Sequence, residues 1–379
     1  MSVQIRQVIN KSDYKSFIYL SEKIHDAHPN WVHPLYIDEE AFFNPDKNPA
    51  FQKNPNILFL AFRDNVLVGR IMGIIPTGFN QSNQSKDARF SYFECYDDQE
   101  VFNALLKAVE SWAIEYGSDQ LVGPLGFSDK EPQGFVTMGH DEKSMLVTNC
   151  NFQYMVDFIE KQEYEPFVKL CQYDVPLSER IIQRYLPFAE RVKRNLQIKV
   201  HEFTKTSEIK PFVQKVFKLI NKTYNKIYGF SETTEKEADE FARRFLPLLN
   251  PRLIKLITDE NDDVVAFIIG MPDLSDGIRK ARGRLLPFGW MHIWKASRRS
   301  KRLVLLLGAV KNEYQNKGLD AVLAVTLIGS ALDLGFTMMD SHLIMKDNIK
   351  MRREIERLEN FRQYKEYTIF KKSLNQIQQ

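Results

Sequence analysis

Residues 304–323 read VLLLGAVKNEYQNKGLDAVL, and they decide the fold. The apolar run Leu303–Val310 predicts a β-strand, and the apolar stretch Gly318–Leu334 predicts a helix. Between them, the polar loop Gln315–Gly318 presents successive backbone N–H groups at the start of that helix. A helix N-terminus carries about half a positive charge and binds phosphate groups, and glycine lets a ligand approach the backbone closely. The stretch therefore predicts a strand, an anion-binding loop and a helix.

The same order of elements occurs twice along the chain, which indicates an internal repeat. Each half has a hairpin with an acidic turn, a strand, a helix that stops at a glycine (Gly117 or Gly335), a second helical stretch and a last strand. In the first half we expect strands at Ile57–Arg63, Val66–Pro76, Phe90–Cys95 and Val168–Val175, with a helix at Asp98–Tyr116. In the second half we expect strands at Leu253–Thr258, Val264–Met271, Leu303–Val310 and Tyr367–Lys371.

A strand–helix–strand unit implies a parallel strand pair, whereas a hairpin is antiparallel. We therefore predict an α/β fold of two tandem units, each a mixed, mostly antiparallel sheet with one parallel strand pair and flanking helices. The units are predicted at residues 1–180 and 196–379, joined through the polar segment Ser178–Asn195, which could itself be a helix.

The composition is that of a globular protein, with 379 residues, 44% hydrophobic residues and a formal net charge of +3. This charge is too small to indicate nucleic acid as a partner, and none is expected. The three cysteines lack metal-ligand spacing, and the N-terminus lacks a signal-peptide pattern. We therefore expect a soluble, cytoplasmic protein.

The loop after Leu303–Val310 resembles motif A of the GNAT superfamily of N-acyltransferases, whose pattern is Gln/Arg-x-x-Gly-x-Gly/Ala. Gln315 and Gly318 match, whereas the sixth position is Asp320. The resemblance implies an acyl-CoA co-substrate, expected to be acetyl-CoA, and no metal. Carried over by position, the residues implied to bind it are Ala309, Val310, Gln315, Asn316, Lys317, Gly318, Leu319, Asp320 and Asn348.

The resemblance also implies a tyrosine near the last helix as general acid toward the leaving thiolate. Tyr364 and Tyr367 are the candidates, with Tyr364 preferred because Tyr367 fits the final strand. A glutamate on or near the fourth strand often serves as base in this family, but Leu303–Val310 has no carboxylate. Glu313 in the loop beyond it, or His342 on the next strand, could take that role.

The equivalent loop of the first half, Tyr96–Glu100, has three carboxylates and no glycine. Anionic side chains stabilise a helix N-terminus and repel pyrophosphate. We therefore expect the first unit to be a degenerate copy without an acyl-CoA site, which is structural or helps to shape the acceptor pocket.

The insert Arg279–Arg302 has nine basic residues, aromatic residues in its middle and no acidic residue. Such a segment could bind an anionic membrane surface or an acyl carrier protein, or be a solvated basic helix with its aromatics packed inward. His25, His28 and His33 cluster early, but without nearby cysteines or an acidic triad they do not indicate a metal site.

The implied reaction is acyl transfer from acyl-CoA to a small-molecule or peptide amine bound between the halves. Backbone N–H groups near Val310 would stabilise the oxyanion. Two alternatives stay open. The donor could be aminoacyl-tRNA or an acyl carrier protein, or the chain could bind acyl-CoA without catalysis.

Overall fold

The computed structural model describes residues 2–374, without the side chain of residue 244, and they form one α/β body. The last five residues of the second predicted unit, 375–379, lie outside the described residues. The strands are β1 (Gln4–Gln7), β2 (Asn56–Arg63), β3 (Val66–Ile74), β4 (Asp87–Cys95), β5 (Gln120–Gly123), β6 (Phe135–Met138), β7 (Glu165–Pro176), β8 (Lys199–Glu202), β9 (Ile254–Thr258), β10 (Val264–Pro272), β11 (Arg302–Val310), β12 (Met338–Asp340), β13 (Ile344–Met345) and β14 (Arg362–Ser373). The helices are α1 (Lys11–Ile24), α2 (Tyr36–Phe42), α3 (Pro49–Lys53), α4 (Thr77–Asn83), α5 (Gln99–Glu115), α6 (Gln153–Glu160), α7 (Glu179–Leu196), α8 (Val213–Thr223), α9 (Glu235–Phe245), α10 (Ser275–Lys280), α11 (Gly289–Arg299), α12 (Leu319–Asp333) and α13 (Ile349–Glu356).

The strands form one continuous mixed sheet in the order β1-β2-β3-β4-β5-β14-β7-β12-β11-β10-β9-β8, with β6 beside β14 and β13 beside β7. Within residues 2–374, the two parallel pairs are β4–β5 and β11–β12, one in each half, and the remaining pairs are antiparallel. This confirms the predicted α/β class with two tandem mixed units. The first hairpin also turns as expected, because Asp64 and Asn65 have φ of 51° and 64°, which a two-residue type I′ turn requires.

The last strands of the two halves exchange places. Strand β14, from the end of the second half, pairs with β5 of the first half, whereas β7 of the first half pairs with β12 of the second. The two exchanged strands also pair with each other. Because the sheet is continuous, it marks no boundary between units, and the division at residues 180–196 stays a prediction.

Helix α12 lies between the sheet and α7, which explains why it is apolar nearly all round. Its Leu319 and Val322 pack in one buried cluster with Val192 of α7 and with Ile257 and Val265 of the sheet. Burying side chains of this size contributes about 1.5–3 kcal/mol each. The segment predicted as a linker is thus itself a helix, α7, that fixes the position of α12.

The predicted start of the final strand was wrong. Strand β14 begins at Arg362, so Tyr364 lies inside the strand together with Tyr367. Polar residues open this strand and find partners across the sheet: the exposed Arg362, for example, donates to the buried Asp174 at 2.8 Å. No helix within residues 2–374 has both the length and the apolar character needed to cross a bilayer.

Candidate active site

Strands β11 and β12 part after three residue pairs, which join Arg302–Val304 to Met338–Asp340. Beyond that point, within the described residues, no strand pairs with this edge of β11, although the opposite edge stays paired with β10 as far as Val310. The separated strands leave Leu305–Val310 without a strand partner on this side, as an open edge of β11 within the described residues. Backbone groups on such an edge can bind an extended ligand through hydrogen bonds.

Two local features shape this edge of β11. The register against β10 shifts by one residue, so Leu306 is an extra residue of a β-bulge, which bends the strand. The hydroxyl of Tyr224 donates to the carbonyl oxygen of Gly308 at 2.9 Å. The edge is therefore bent and contacted by a side chain from the end of α8 near its middle.

Helix α12 begins at Leu319, a short loop after this open edge ends at Val310. Its N-cap is Gly318, with a φ of 86°, and no side chain within residues 2–374 accepts a hydrogen bond from the first-turn amides. The preceding Gln315, Asn316 and Lys317 are exposed. The positive end of the helix dipole is thus open to an anionic ligand.

Gly318 is required by packing as well as by backbone conformation. A Cβ at this position would lie 2.7 Å from the ring of Phe188 and 2.9 Å from Val192, both on α7. The positive φ is also one that residues with side chains rarely adopt. This glycine therefore sets both the loop conformation and the close contact between α12 and α7.

The corresponding helix of the first half, α5, is closed by its own carboxylate. Asp98 accepts hydrogen bonds from the amides of Glu100 and Val101 at 3.1 and 3.2 Å. Arg63 forms ion pairs of 2.8 Å with both Asp98 and Glu100. The cap occupies the place that a phosphate group would need.

The gap beyond the β4–β5 pair is also filled by protein. The amide of Leu125 donates to the carbonyl of Phe90 at 2.8 Å, where the two strands would separate. The fully buried Arg89 donates to the carbonyls of Gly126 and Phe127 at 3.0 and 2.9 Å. The open strand edge and the uncapped helix therefore occur together only in the second half of the described chain.

The residues predicted to bind the cofactor lie at three places: the end of β11, the nearby start of α12, and the start of α13. Ala309 and Val310 end β11, and Gln315–Asp320 form the loop and first turn of α12, where Leu319 is buried and Asp320 is exposed. Asn348 instead caps α13 by accepting from the amide of Met351 at 3.2 Å. The predicted role of each residue stays a prediction.

A buried polar cluster lies where β12, β14 and β7 meet. Asp340, fully buried, accepts from Gln172 at 2.8 Å, from Arg302 at 3.2 Å and from the hydroxyl of Tyr364. We call these four residues the Asp340 cluster. Burial, and then the Asp340 charge, raise the pKa of Tyr364 well above 10. Tyr367 is buried beside it and donates to Gln172 at 3.4 Å.

The structure does not bring the predicted acid and base together. Arg302 and Val310 are the two ends of β11, about 26 Å apart at roughly 3.3 Å per residue. Tyr364 contacts the Arg302 end, whereas Glu313 follows the Val310 end, exposed and 3.9 Å from Lys311. The choice of catalytic residues stays a prediction.

His342, the other candidate base, follows Asp340 on the same connection. Its backbone has a φ of 56°, and its amide donates to the Asp340 carboxylate at 2.9 Å. Its Nε2 is buried without a hydrogen-bond partner in the described residues, and burial lowers its pKa. His342 is thus a neutral imidazole next to the Asp340 cluster, which includes Tyr364. Glu313 instead follows the opposite end of β11.

The first half contains a cavity of about 110 Å³ that the sequence did not indicate. We call it the N-terminal cavity. Its wall combines apolar and charged side chains, among them Trp31, Phe135, Met145, Glu39, Arg70 and Glu94. Phe135 of β6, in the cavity wall, pairs with Thr368 of β14, the strand that carries Tyr364. The cavity and the Asp340 cluster therefore share a structural support.

The two carboxylates in the wall of this cavity, Glu94 and Glu39, differ in pKa. Arg70 forms an ion pair of 2.9 Å with Glu94, and His25 lies 3.4 Å from the same carboxylate. Burial alone would raise the pKa of Glu94, but Arg70 and His25 outweigh it and lower that pKa to about 2. Burial raises the pKa of Glu39 to about 7 despite Arg70. One carboxylate is thus firmly ionised, and the other can exchange a proton near neutral pH.

The early histidines form a stacked group behind this cavity. The Nδ1 atoms of His25 and His28 are 3.0 Å apart, and the Sγ of Cys150 lies 3.6 Å from His28. Burial raises the pKa of that thiol to about 11 and lowers the pKa of His28 to about 4. In residues 2–374, no three His, Cys, Asp or Glu side chains come together as a metal site.

We expect acid to destabilise the fold through His28. Its pKa is about 4 in the folded chain and about 6.5 in the unfolded chain, so the stability from its neutral form is present above pH 6.5 and is lost as the pH falls toward 4. Between about pH 7.5 and 5 the loss should be about 1–2 kcal/mol, after allowance for partial solvent screening. Urea unfolding at the two pH values should show a smaller loss in His28→Gln. An equal loss in His28→Gln and in the exposed control His292→Gln would contradict this.

Comparison with known structures establishes the class of fold. A tandem GNAT protein from the clavulanic acid biosynthesis pathway superposes with a TM-score of 0.56, over 98% of this chain and 99% of its own, at 11% sequence identity. An identity this low shows the fold alone. The chain has the tandem GNAT fold, as its sequence predicted.

Two relatives are similar over nearly their whole length. A protein named bacterial ceramide synthase, from Caulobacter vibrioides (strain NA1000 / CB15N), is 26% identical over 377 residues, which are 96% of this chain and 95% of the relative. Protein YghO of Escherichia coli (strain K12) is 24% identical over 379 residues, 98% of this chain and 95% of its own. No family model matches the chain.

Sequence reasoning missed the Asp340 cluster and the N-terminal cavity because each is assembled from distant segments. The cluster joins Gln172, Arg302, Asp340 and Tyr364, from four different strands. One available signal was the row of polar residues in β14, which suits a buried polar network as well as a surface loop. The early cluster His25–His33 was the other signal, although nothing in its spacing indicated a cavity wall.

Proposed function

We propose that the chain is an N-acyltransferase that moves an acyl group from acyl-CoA to an amine. The observation that carries this proposal is the uncapped start of α12 at the end of the open β11 edge. Amides at a helix N-terminus suit a diphosphate, and a strand edge suits the amide groups of an extended pantetheine arm. The tandem GNAT fold supports the same function, because the helix and the edge occupy the places that the resemblance to motif A implies.

In this proposal the loop residues Gln315–Asp320 hold the diphosphate, and Ala309 and Val310 contact the pantetheine arm. The amine nitrogen attacks the thioester carbon, the C–S bond breaks, and the proton lost from nitrogen ends on the departing sulfur. Tyr364 is the proposed proton donor. Its raised pKa keeps the proton on the hydroxyl at neutral pH, as a donor requires.

We further propose that the N-terminal cavity receives the acceptor. A carboxyl with a pKa near 7, such as Glu39, can take a proton from an ammonium group at neutral pH, which leaves the amine nucleophilic. The apolar wall around Trp31 and Phe135 suits the hydrocarbon part of an amphipathic amine. The cavity also lies beside β14, which carries Tyr364.

The name of the Caulobacter relative supports a more specific acceptor. A ceramide is the fatty amide of a long-chain amino alcohol. We therefore propose a long-chain amino alcohol as the amine, and a fatty acyl group in place of the acetyl group that the resemblance implied.

Native mass spectrometry of freshly purified protein tests the donor, because a bound CoA species adds a defined mass. Thiol release is then measured with acetyl-CoA or palmitoyl-CoA and a panel of amines. The expected result is the fastest release with palmitoyl-CoA and a long-chain amino alcohol. Release only with acetyl-CoA and short amines would overturn the proposed substrates, and no binding of either thioester would overturn the proposed function.

A further inference from the structure

The insert Arg279–Arg302 presents its apolar side chains to solvent. Leu286 is 79% exposed, Phe288 is 67% exposed, and Trp290 and Trp294 are 54% and 51% exposed. Of the alternatives for this insert, the one in which its aromatics pack inward does not hold for these side chains. Together with Lys295 and Arg298 on α11, these four residues form what we call the aromatic–basic surface.

The opposite face of α11 fixes the helix to the protein. A Cβ at Gly277 of α10 would lie 2.7 Å from the carbonyl of His292 and from the Cα of Ile293, so the two helices touch through backbone. Trp290, Trp294 and Arg298 follow at intervals of four and lie on one side of α11. The guanidinium of Arg298 lies 4.5 Å from the ring centre of Trp294. The outward row is thus held in place by a tightly packed inner face.

The insert Arg279–Arg302 carries positive charge that is only partly neutralised by nearby carboxylates. Arg282 and Arg284 pair with Glu22, and Arg302 pairs with Asp340. No carboxylate of the described residues lies within ion-pair distance of five other cations, namely Arg279, Lys280, Lys295, Arg298 and Arg299. Three of these cations, Lys295, Arg298 and Arg299, lie on α11 with the exposed tryptophans.

We propose that the aromatic–basic surface docks on an anionic lipid bilayer. Tryptophan suits the boundary between headgroups and hydrocarbon, and protruding apolar side chains can insert without a matching cavity in a partner. Each basic residue near an anionic surface strengthens binding by about fivefold at low salt. An acidic protein would satisfy the cations but would leave Leu286 and Phe288 in need of shaped pockets.

The insert that carries this surface contacts the wall of the N-terminal cavity a few residues before Leu286. The amide of Tyr36 donates to the carbonyl of Gly283 at 3.0 Å, and Gly283 packs against His33 and Pro34, which line the cavity. Docking would therefore hold this side of the cavity close to the bilayer, from which a long-chain amine could enter. That last step rests on the proposed function, whereas docking itself does not.

Vesicle flotation without acyl-CoA tests the docking. At low salt, the chain should float with vesicles made of equal parts phosphatidylcholine and phosphatidylglycerol, and remain unbound to phosphatidylcholine alone. The double variant Trp290→Ser/Trp294→Ser and the double variant Lys295→Glu/Arg298→Glu should each bind at least about tenfold more weakly. The tryptophan fluorescence of the unsubstituted chain should shift to shorter wavelength on binding.

Matched controls are Leu248→Ser, which removes an equally exposed apolar side chain elsewhere, and Lys107→Glu, which reverses an exposed charge on α5. Both should bind as the unsubstituted chain does. No flotation at low salt, or equal flotation of the surface variants, would overturn the proposal. So would self-association that the same variants abolish, because the surface would then bind a second copy of the chain. Thiol release with a detergent-dissolved amine, measured on the same variants, reports the proposed function separately.

Discussion

The Lys317→Glu variant is expected to bind acyl-CoA about 10- to 100-fold more weakly than the unsubstituted chain. Lys317 is exposed in the loop that leads into α12, whose amides have no side-chain cap. Reversing its charge places a carboxylate beside the proposed diphosphate, in surroundings that screen charge only partly. Isothermal titration calorimetry with palmitoyl-CoA measures the change.

Two further variants make this test specific. Asp320→Asn removes the carboxylate that departs from the motif pattern, and should tighten binding by several-fold. Lys107→Glu makes the same charge change on the exposed face of α5 and should leave the affinity unchanged. If Lys317→Glu binds as tightly as Lys107→Glu, the loop does not hold the diphosphate. Gly318 is a poorer site for substitution, because any side chain there would clash with Phe188.

The Asp340→Ala variant is expected to lose about 3–5 kcal/mol of unfolding free energy. Asp340 is fully buried and accepts hydrogen bonds from Gln172, Arg302, Tyr364 and the amide of His342. Removing its carboxylate leaves these donors without their acceptor and leaves a cavity at the centre of the sheet. Urea denaturation followed by circular dichroism measures the loss.

A surface carboxylate provides the comparison. Asp333→Ala removes the 3.2 Å ion pair with Arg252 at an exposed position, and should cost less than about 1 kcal/mol. Asp340→Asn keeps the size and some of the hydrogen bonds, so its loss should fall between the two. Similar losses for Asp340→Ala and Asp333→Ala would show that the Asp340 cluster does not stabilise the sheet.

Local sequence patterns were sufficient to predict most of the strands, helices and turns. The Asp64-Asn65 turn, the stop glycines and the apolar run Leu303–Val310 each depend on neighbours in sequence, and each occurs where it was predicted. The sequence also predicted that α5 and α12 begin differently. The carboxylate of Asp98 repels an anion, whereas Gly318 lets one approach the backbone. These features are decided by backbone conformation and nearby charge.

The arrangement of the two halves could not be predicted in the same way. The strand Val168–Val175 has the same apolar pattern whether it pairs within its own half or in the other, so its exchange with β14 left no signal. The prediction began the final strand at Tyr367, because hydrophobicity does not reveal that Tyr364 and its neighbours find buried partners. The N-terminal cavity was hidden for the same reason, since Trp31, Arg70 and Glu94 come from separate segments.

The exchange of β7 and β14 has a consequence for how the chain is made. A ribosome completes residues 1–361 before it adds any of β14, so β5 has no neighbour on one side throughout that time. The first half of the nascent polypeptide therefore cannot reach its finished form until β14 has been translated. A product cut short before Arg362 would carry open strand edges in both halves, which chaperones and proteases can distinguish from a chain that contains β14.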